Sequence, residues 1–156
     1  MGLIDFVRGA GEKLFGASEA AAAPADDEAT RSKRSEALEN AVKQHGLEVD
    51  RLKVKVAGDL AAVRGSVATQ AIREKVVLVL GNVAGIARVD DGLEVASPEP
   101  EATYHTVERG DTLWKIAKEH YGNGNEYPEI FEANRPMLKD PDKIYPGQVL
   151  RIPPKA

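Results

Sequence analysis

Apolar residues recur at Leu3, Phe6, Val7, Ala10, Leu14 and Phe15, a 3.6-residue stripe that predicts a short amphipathic helix at the N-terminus. Gly9 and Gly11 weaken such a helix in isolation, so it needs a surface to dock on. Arg8 and Lys13 are balanced by Asp5 and Glu12, which favours the protein's own body over a membrane interface. Gly16 to Pro24 reads as a linker of small residues. Asp26-Asp27-Glu28 then place negative charge where a helix dipole favours it, opening a helix that runs to about His45 with Gly46 as its stop.

From Arg51 to Ala57 the period changes to two. Leu52, Val54 and Val56 fall on one face and Lys53 and Lys55 on the other, which predicts a half-buried strand. Gly58-Asp59 is a two-residue hairpin turn, and Ala61, Val63, Gly65 and Val67 continue the alternation. Thr69 is placed to N-cap a helix that buries Ile72, Val76, Val79 and Leu80. A last strand carries Ala87, Val89, Leu93 and Val95, broken at Asp90-Asp91-Gly92 by a bulge or turn. The order αββαβ predicts helices on one face of a small sheet.

Ser97 to Ala102, with two prolines and two glutamates, is a charged extended linker. Beyond it Thr103 to Val107 reads as a strand, Asp111 as the N-cap of a helix with Leu113, Ile116, Ala117 and Tyr121 inward, and Gly122 as its end. Pro128 suits the first turn of a second helix, which Pro136 stops. Tyr145-Pro146-Gly147-Gln148 fits a type II turn before a closing strand, Val149 to Ile152. The expected architecture is α+β: residues 1–25 as N-terminal helix and linker, 26–96 as an αββαβ domain, 97–102 as linker and 103–156 as a βααβ domain. So small a second core is marginal alone, so contact between the two domains is expected.

One stretch has chemical potential. Gly81-Asn82-Val83-Ala84-Gly85-Ile86 leaves the C-terminal end of an apolar helix, where the last carbonyls lack intrahelical partners and the dipole is negative. Its side chains are uncharged, so a ligand there is held by main-chain oxygen, an arrangement suited to a weakly hydrated monovalent cation. The plain alternative is a glycine C-cap followed by a helix-to-strand loop.

Composition narrows the options. A net charge of −4 argues against a nucleic-acid binder that relies on phosphate contacts. The absence of cysteine excludes disulfides and thiolate metal sites. No apolar run reaches the length of a membrane span, and no secretory signal is evident, so the expected location is the cytoplasm. His105 and His120 lie fifteen residues apart, with no carboxylate spacing that suggests a triad or metal site. No enzyme is expected.

Tyr104-His105-Thr106-Val107-x-x-Gly110-Asp111-Thr112-Leu113-Trp114, Ile130-x-x-Ala133-Asn134 and Ile144-Tyr145-Pro146-Gly147-Gln148-Val149-Leu150-x-Ile152-Pro153 together resemble a LysM domain. The αββαβ region with its glycine turn resembles a BON domain. Preceded by Met1-Gly2-Leu3-Ile4-Asp5-Phe6-Val7, the pair is similar to a family of bacterial cytoplasmic potassium-binding proteins, apart from a longer alanine-rich stretch at Gly16 to Arg34. The resemblance implies a K+ sensor, with backbone carbonyls of Val7, Ala10, Gly81, Val83 and Ile86 around the ion; ion-coupled ordering, in which binding favours a compact state, is the mechanism expected from such a site. A monomer is expected, without nucleic-acid partner or stable membrane insertion, and the sequence does not identify a protein partner. LysM resemblance also implies a rival, binding of N-acetylglucosamine polymers such as peptidoglycan in a groove at Asp111, Thr112, Leu113, Met137 and Ile144.

Overall fold

The structure, a computed structural model, describes residues 2–6, 28–83, 85–97, 100, 102–135 and 137–154. Its elements run β1 (Gly2–Asp5), α1 (Glu28–Gln44), β2 (Asp50–Ala57), β3 (Leu60–Thr69), α2 (Gln70–Gly81), β4 (Arg88–Ser97), β5 (Thr103–Thr106), α3 (Leu113–Tyr121), a 3-10 turn (Gly124–Glu126), α4 (Tyr127–Ala133) and β6 (Val149–Ile152).

The first sheet has the order β1-β4-β3-β2. The β2–β3 hairpin is antiparallel around Gly58-Asp59, with Ala57 facing Leu60, whereas β3 and β4 run parallel and need the α2 crossover between them. The α1 and α2 helices bury Leu38, Val42, Val76 and Leu80 with the inward strand residues Val54, Val56, Val63 and Val89 in one core. Thr69 caps α2 as expected, its hydroxyl accepting the Ile72 N–H at 3.2 Å. His45 closes the end of α1 through its Nδ1, 2.8 Å from the Ala41 carbonyl.

Three expectations are corrected. Gly2–Asp5 is a strand, not the start of a helix: it pairs antiparallel with β4, Leu3 facing Asp90 and Ile4 facing Val89. Edge pairing on an existing sheet satisfies more backbone groups than the first turn of a glycine-weakened helix. The rest of the predicted helix, Val7 to Phe15, lies outside the described residues. Second, β4 is continuous through Asp90-Asp91-Gly92. Asp91 is buried and accepts from Arg73 Nε at 2.7 Å and the Leu93 N–H at 3.0 Å, while Arg64 reaches Asp90 at 3.1 Å. Gly92 makes room for that arginine, since a Cβ there would stand 2.4 Å from Arg64 Nη1. Third, the N-cap of α3 is Thr112, whose hydroxyl accepts the Lys115 N–H at 3.1 Å; Asp111 instead accepts the Glu108 N–H at 2.9 Å.

The second unit pairs β5 and β6 antiparallel, Thr103 facing Ile152, and buries Leu113, Ile116, Ala117, Ile130 and Leu150 under α3 and α4. Gly147, at φ 90°, and the Gln148 N–H bond to the Tyr145 carbonyl at 3.1 Å form the turn expected before β6. The two units are in contact. Val149 packs into the first core, and Met137 packs against both.

Candidate functional site

The glycine turn begins where α2 runs out. The Asn82 N–H closes the helix on the Leu78 carbonyl at 2.9 Å, the Ile86 N–H reaches the Val83 carbonyl at 3.0 Å, and Gly85 takes φ 105°, open only to glycine without strain. Val83 and Ile86 are fully buried. Among the described residues, neither the Gly81 nor the Ile86 carbonyl accepts a hydrogen bond in this loop. The turn therefore combines buried apolar side chains with main-chain oxygen at the negative end of a helix.

Phe6 lies directly on this turn. A Cβ on Gly81 would stand 2.1–2.2 Å from the Phe6 ring, so only glycine admits the ring there. The Phe6 N–H donates to the Ala87 carbonyl at 2.8 Å, just past the turn. Gly81, Val83 and Ile86 are thus brought together in one loop, and the N-terminal strand ends on it. Val7 and Ala10 lie outside the described residues.

Asn82, in the middle of the turn, points the other way. Its Nδ2 donates to the Val149 carbonyl and its Oδ1 accepts the Val149 N–H, both at 2.8 Å. Two residues along β6, Asn134 repeats the motif: Oδ1 accepts the Arg151 N–H at 2.8 Å and Nδ2 donates to the Arg151 carbonyl at 3.0 Å. The edge of β6 away from β5 is therefore capped by two carboxamides, one from each unit. One turn back along α2 from Leu78, Glu74 is buried and accepts from Arg151 Nε at 2.8 Å, Gln70 Nε2 at 3.1 Å and the Ala102 N–H at 2.8 Å. With these partners the buried carboxylate is neutralised and its lone pairs are used. Burial, and then Glu74, hold the adjacent Tyr104 phenol well above its ordinary value, and burial together with Arg151 lowers Lys75.

Sequence reasoning misses Asn82 and Glu74 as interface residues. The signal for them is a Gln70–Glu74 pair on the same helical face as Val77, Leu78 and Gly81, since a carboxylate on an apolar face needs a cation from elsewhere.

A cleft of 290 Å³ opens beside Asn82, lined by Met137, Lys139, Lys143, Tyr145 and Gln148 among others. Its charged lining is Lys139, Asp140 and Lys143, an excess of one positive charge, whereas the residues of the glycine turn carry none.

The groove residues of the rival reading are spread over different tasks. Leu113 is buried in the second core and Ile144 packs partly against it, Thr112 caps α3, Asp111 holds the loop, and Met137 faces the contact between the units. Trp114 is exposed, with one face on Gly124 and Lys118 Nζ 5.3 Å from its ring centre.

The histidines depart from expectation. His105 and His120 approach to 3.2 Å between His105 Nδ1 and His120 Nε2, and His105 Nε2 lies 3.0 Å from Asp111 Oδ2. Strand β5 and the last turn of α3 bring them together, a juxtaposition invisible in linear spacing.

Among the described residues, no helix is long and apolar enough to cross a membrane.

A BON domain is matched over residues 26–97 and a LysM domain over residues 105–153, so the two units are a BON module followed by a LysM module. Over nearly its whole length the chain is similar to potassium binding protein Kbp of Escherichia coli O6:H1, at 44% identity over 154 residues, covering 98% of this chain and 99% of that protein. An uncharacterised Deinococcus radiodurans protein is 33% identical over 134 residues, 78% of this chain and 52% of the other. The spore coat assembly protein ExsA of Bacillus cereus is 40% identical over 52 residues, a third of this chain and 8% of that protein. The chain belongs to the family of potassium binding protein Kbp.

Proposed function

We propose that this protein is a cytoplasmic potassium sensor, a binding protein without catalytic activity, in which K+ is held by the backbone carbonyls of Gly81, Val83 and Ile86 together with those of Val7 and Ala10. The observation that carries the reading is the seating of Phe6 on Gly81, which delivers the N-terminal segment to the glycine turn. The name of its relative, potassium binding protein, supports the choice of ion. Carbonyl oxygens select a weakly hydrated cation by the number and spacing of their dipoles, and Na+ is penalised in a ring sized for the larger ion.

Binding is coupled to compaction. Without the ion, converging carbonyls repel one another and loosen both the N-terminal segment and the turn. An ion that fixes the carbonyls of Gly81 and Val83 also fixes Asn82 between them, and the Asn82 carboxamide is bonded to the LysM module at Val149. Mass action at a hundredfold excess over Kd favours the compact state by about 2.7 kcal/mol.

Calorimetric titration with KCl and with NaCl at constant ionic strength tests the assignment, and small-angle scattering under the same conditions tests the coupling. The expected result is a saturable heat and a smaller radius of gyration in K+ only. Indistinguishable behaviour in the two salts overturns the reading. A second reading, binding of an N-acetylglucosamine polymer, is supported by the LysM match over residues 105–153. Retention of the protein on purified peptidoglycan would favour it.

A further inference from the structure

We propose that the LysM module carries a site for a divalent transition-metal ion of the zinc type, with His105 Nδ1, His120 Nε2 and a Glu119 carboxylate oxygen as ligands. The three side chains offer ligand atoms that all lie within 4.8 Å of one another. The two ring nitrogens are 3.2 Å apart. Two imidazoles bound to one tetrahedral zinc at about 2.05 Å place their nitrogens about 3.3 Å apart, so this pair already has the spacing that the metal demands.

The proton on His105 is fixed by its surroundings. Asp111 Oδ2 lies 3.0 Å from His105 Nε2 and also accepts the Glu108 N–H at 2.9 Å. The carboxylate can only accept, so Nε2 carries the hydrogen and donates it, and the lone pair is left on Nδ1, facing His120. This carboxylate–imidazole pair is the usual support behind a metal-bound histidine, orienting the ring and raising its basicity. Those hydrogen bonds, the Glu108 N–H first and His105 second, keep the Asp111 carboxyl below the ordinary carboxylate range. The rings meet edge to face with centroids 5.2 Å apart, and the two nitrogens that face each other are the ones offered to the ion. Glu119 and His120 are exposed, which gives an ion access from solvent and lets the Glu119 carboxylate swing in. Two imidazoles and one carboxylate suit zinc, and three protein ligands leave a fourth position for water. The site lies in the LysM module and uses none of the carbonyls assigned to K+.

Metal-stripped full-length protein titrated with ZnCl2 in a calorimeter at neutral pH is the test. One ion per chain is expected, and 15N shifts should move at His105 Nδ1 and His120 Nε2. His120→Gln, at an exposed position, should weaken binding at least tenfold while leaving the thermal midpoint of the zinc-free protein unchanged. Asp111→Asn, a positioning change, should weaken it by about 10–100-fold. His45→Gln, which removes the remaining histidine, should leave zinc affinity unaltered. Equal zinc binding by the wild type and His120→Gln, or shifts confined to His45, overturns the proposal.

Discussion

The side chain of Asn82 faces the backbone of Val149 as one strand faces another, donating to its carbonyl and accepting from its N–H, both at 2.8 Å. The residue that does this is the second of the glycine turn. The loop assigned to the ion and the last strand of the LysM module are therefore one bonded unit, joined through a single carboxamide. A change in the path of that loop moves the point at which the second module is attached.

Asn82→Ala leaves a buried N–H and a buried C=O of Val149 without partners. Unsatisfied groups of this kind cost about 1–3 kcal/mol each, so a loss of about 2–6 kcal/mol is expected in urea denaturation at fixed KCl. Asn82→Asp keeps the acceptor but sets a buried carboxylate against the Val149 carbonyl, and should cost at least as much as the alanine change. An unchanged denaturation midpoint in the alanine variant would show that this bond does not hold the modules together.

The Glu74–Arg151 pair joins the modules a second time, inside a buried contact, with Arg151 Nη2 2.6 Å from Glu74 Oε1. Removing one partner strands a buried charge, so Arg151→Met should cost about 3–5 kcal/mol. The double change Glu74→Met with Arg151→Met should cost clearly less than the two single changes added together. A double-mutant cycle in denaturant measures this coupling, and strict additivity would contradict it.

Gly81→Ala tests how the N-terminal strand is seated. The backbone there is helical, so the cost arises from the Phe6 ring alone, 2.1–2.2 Å from the added methyl. Phe6 should be displaced and, if the carbonyl site is as proposed, K+ affinity should drop at least tenfold by calorimetry. In a Phe6→Ala background the same glycine change should have little further effect on stability.

Stability should fall at alkaline pH because of Tyr104. Burial, reinforced by Glu74, raises its phenol pKa in the folded state. Above about pH 10 the unfolded chain releases this proton while the folded chain keeps it, so the unfolded state binds fewer protons and stability declines by up to about 1.4 kcal/mol per pH unit. Tyr104→Phe should remove one proton's worth of that slope when urea unfolding is compared at pH 9.5 and 11. An identical slope in both proteins would refute the assignment.

Local signals serve well where each element decides its own shape. Thr69 as a cap, the Gly58-Asp59 hairpin and the Pro146-Gly147 turn depend on a few neighbouring residues, and all three stand where they are expected. Failures occur where a distant segment decides. Leu3 and Ile4 suit a helix by period, but β4 offers them an edge. Asp90 and Asp91 suggest a break until Arg64 and Arg73 arrive from β3 and α2. The glycine turn is legible as a candidate site from its carbonyl-only chemistry. Its link to Val149 is not, because an asparagine beside a helix end has the same sequence appearance whether it caps the helix or clasps another module.

The amide caps on β6 carry a second consequence, for the state in which the modules part. Asn134 belongs to the LysM module and stays with the strand, but Asn82 leaves with BON, stripping the rim of β6 at Val149. A bared strand rim is adhesive and recruits any extended peptide or second chain that can supply the missing donor and acceptor. The parted state thus invites self-association, and the Asn82 carboxamide is a guard against clumping as much as a fastener.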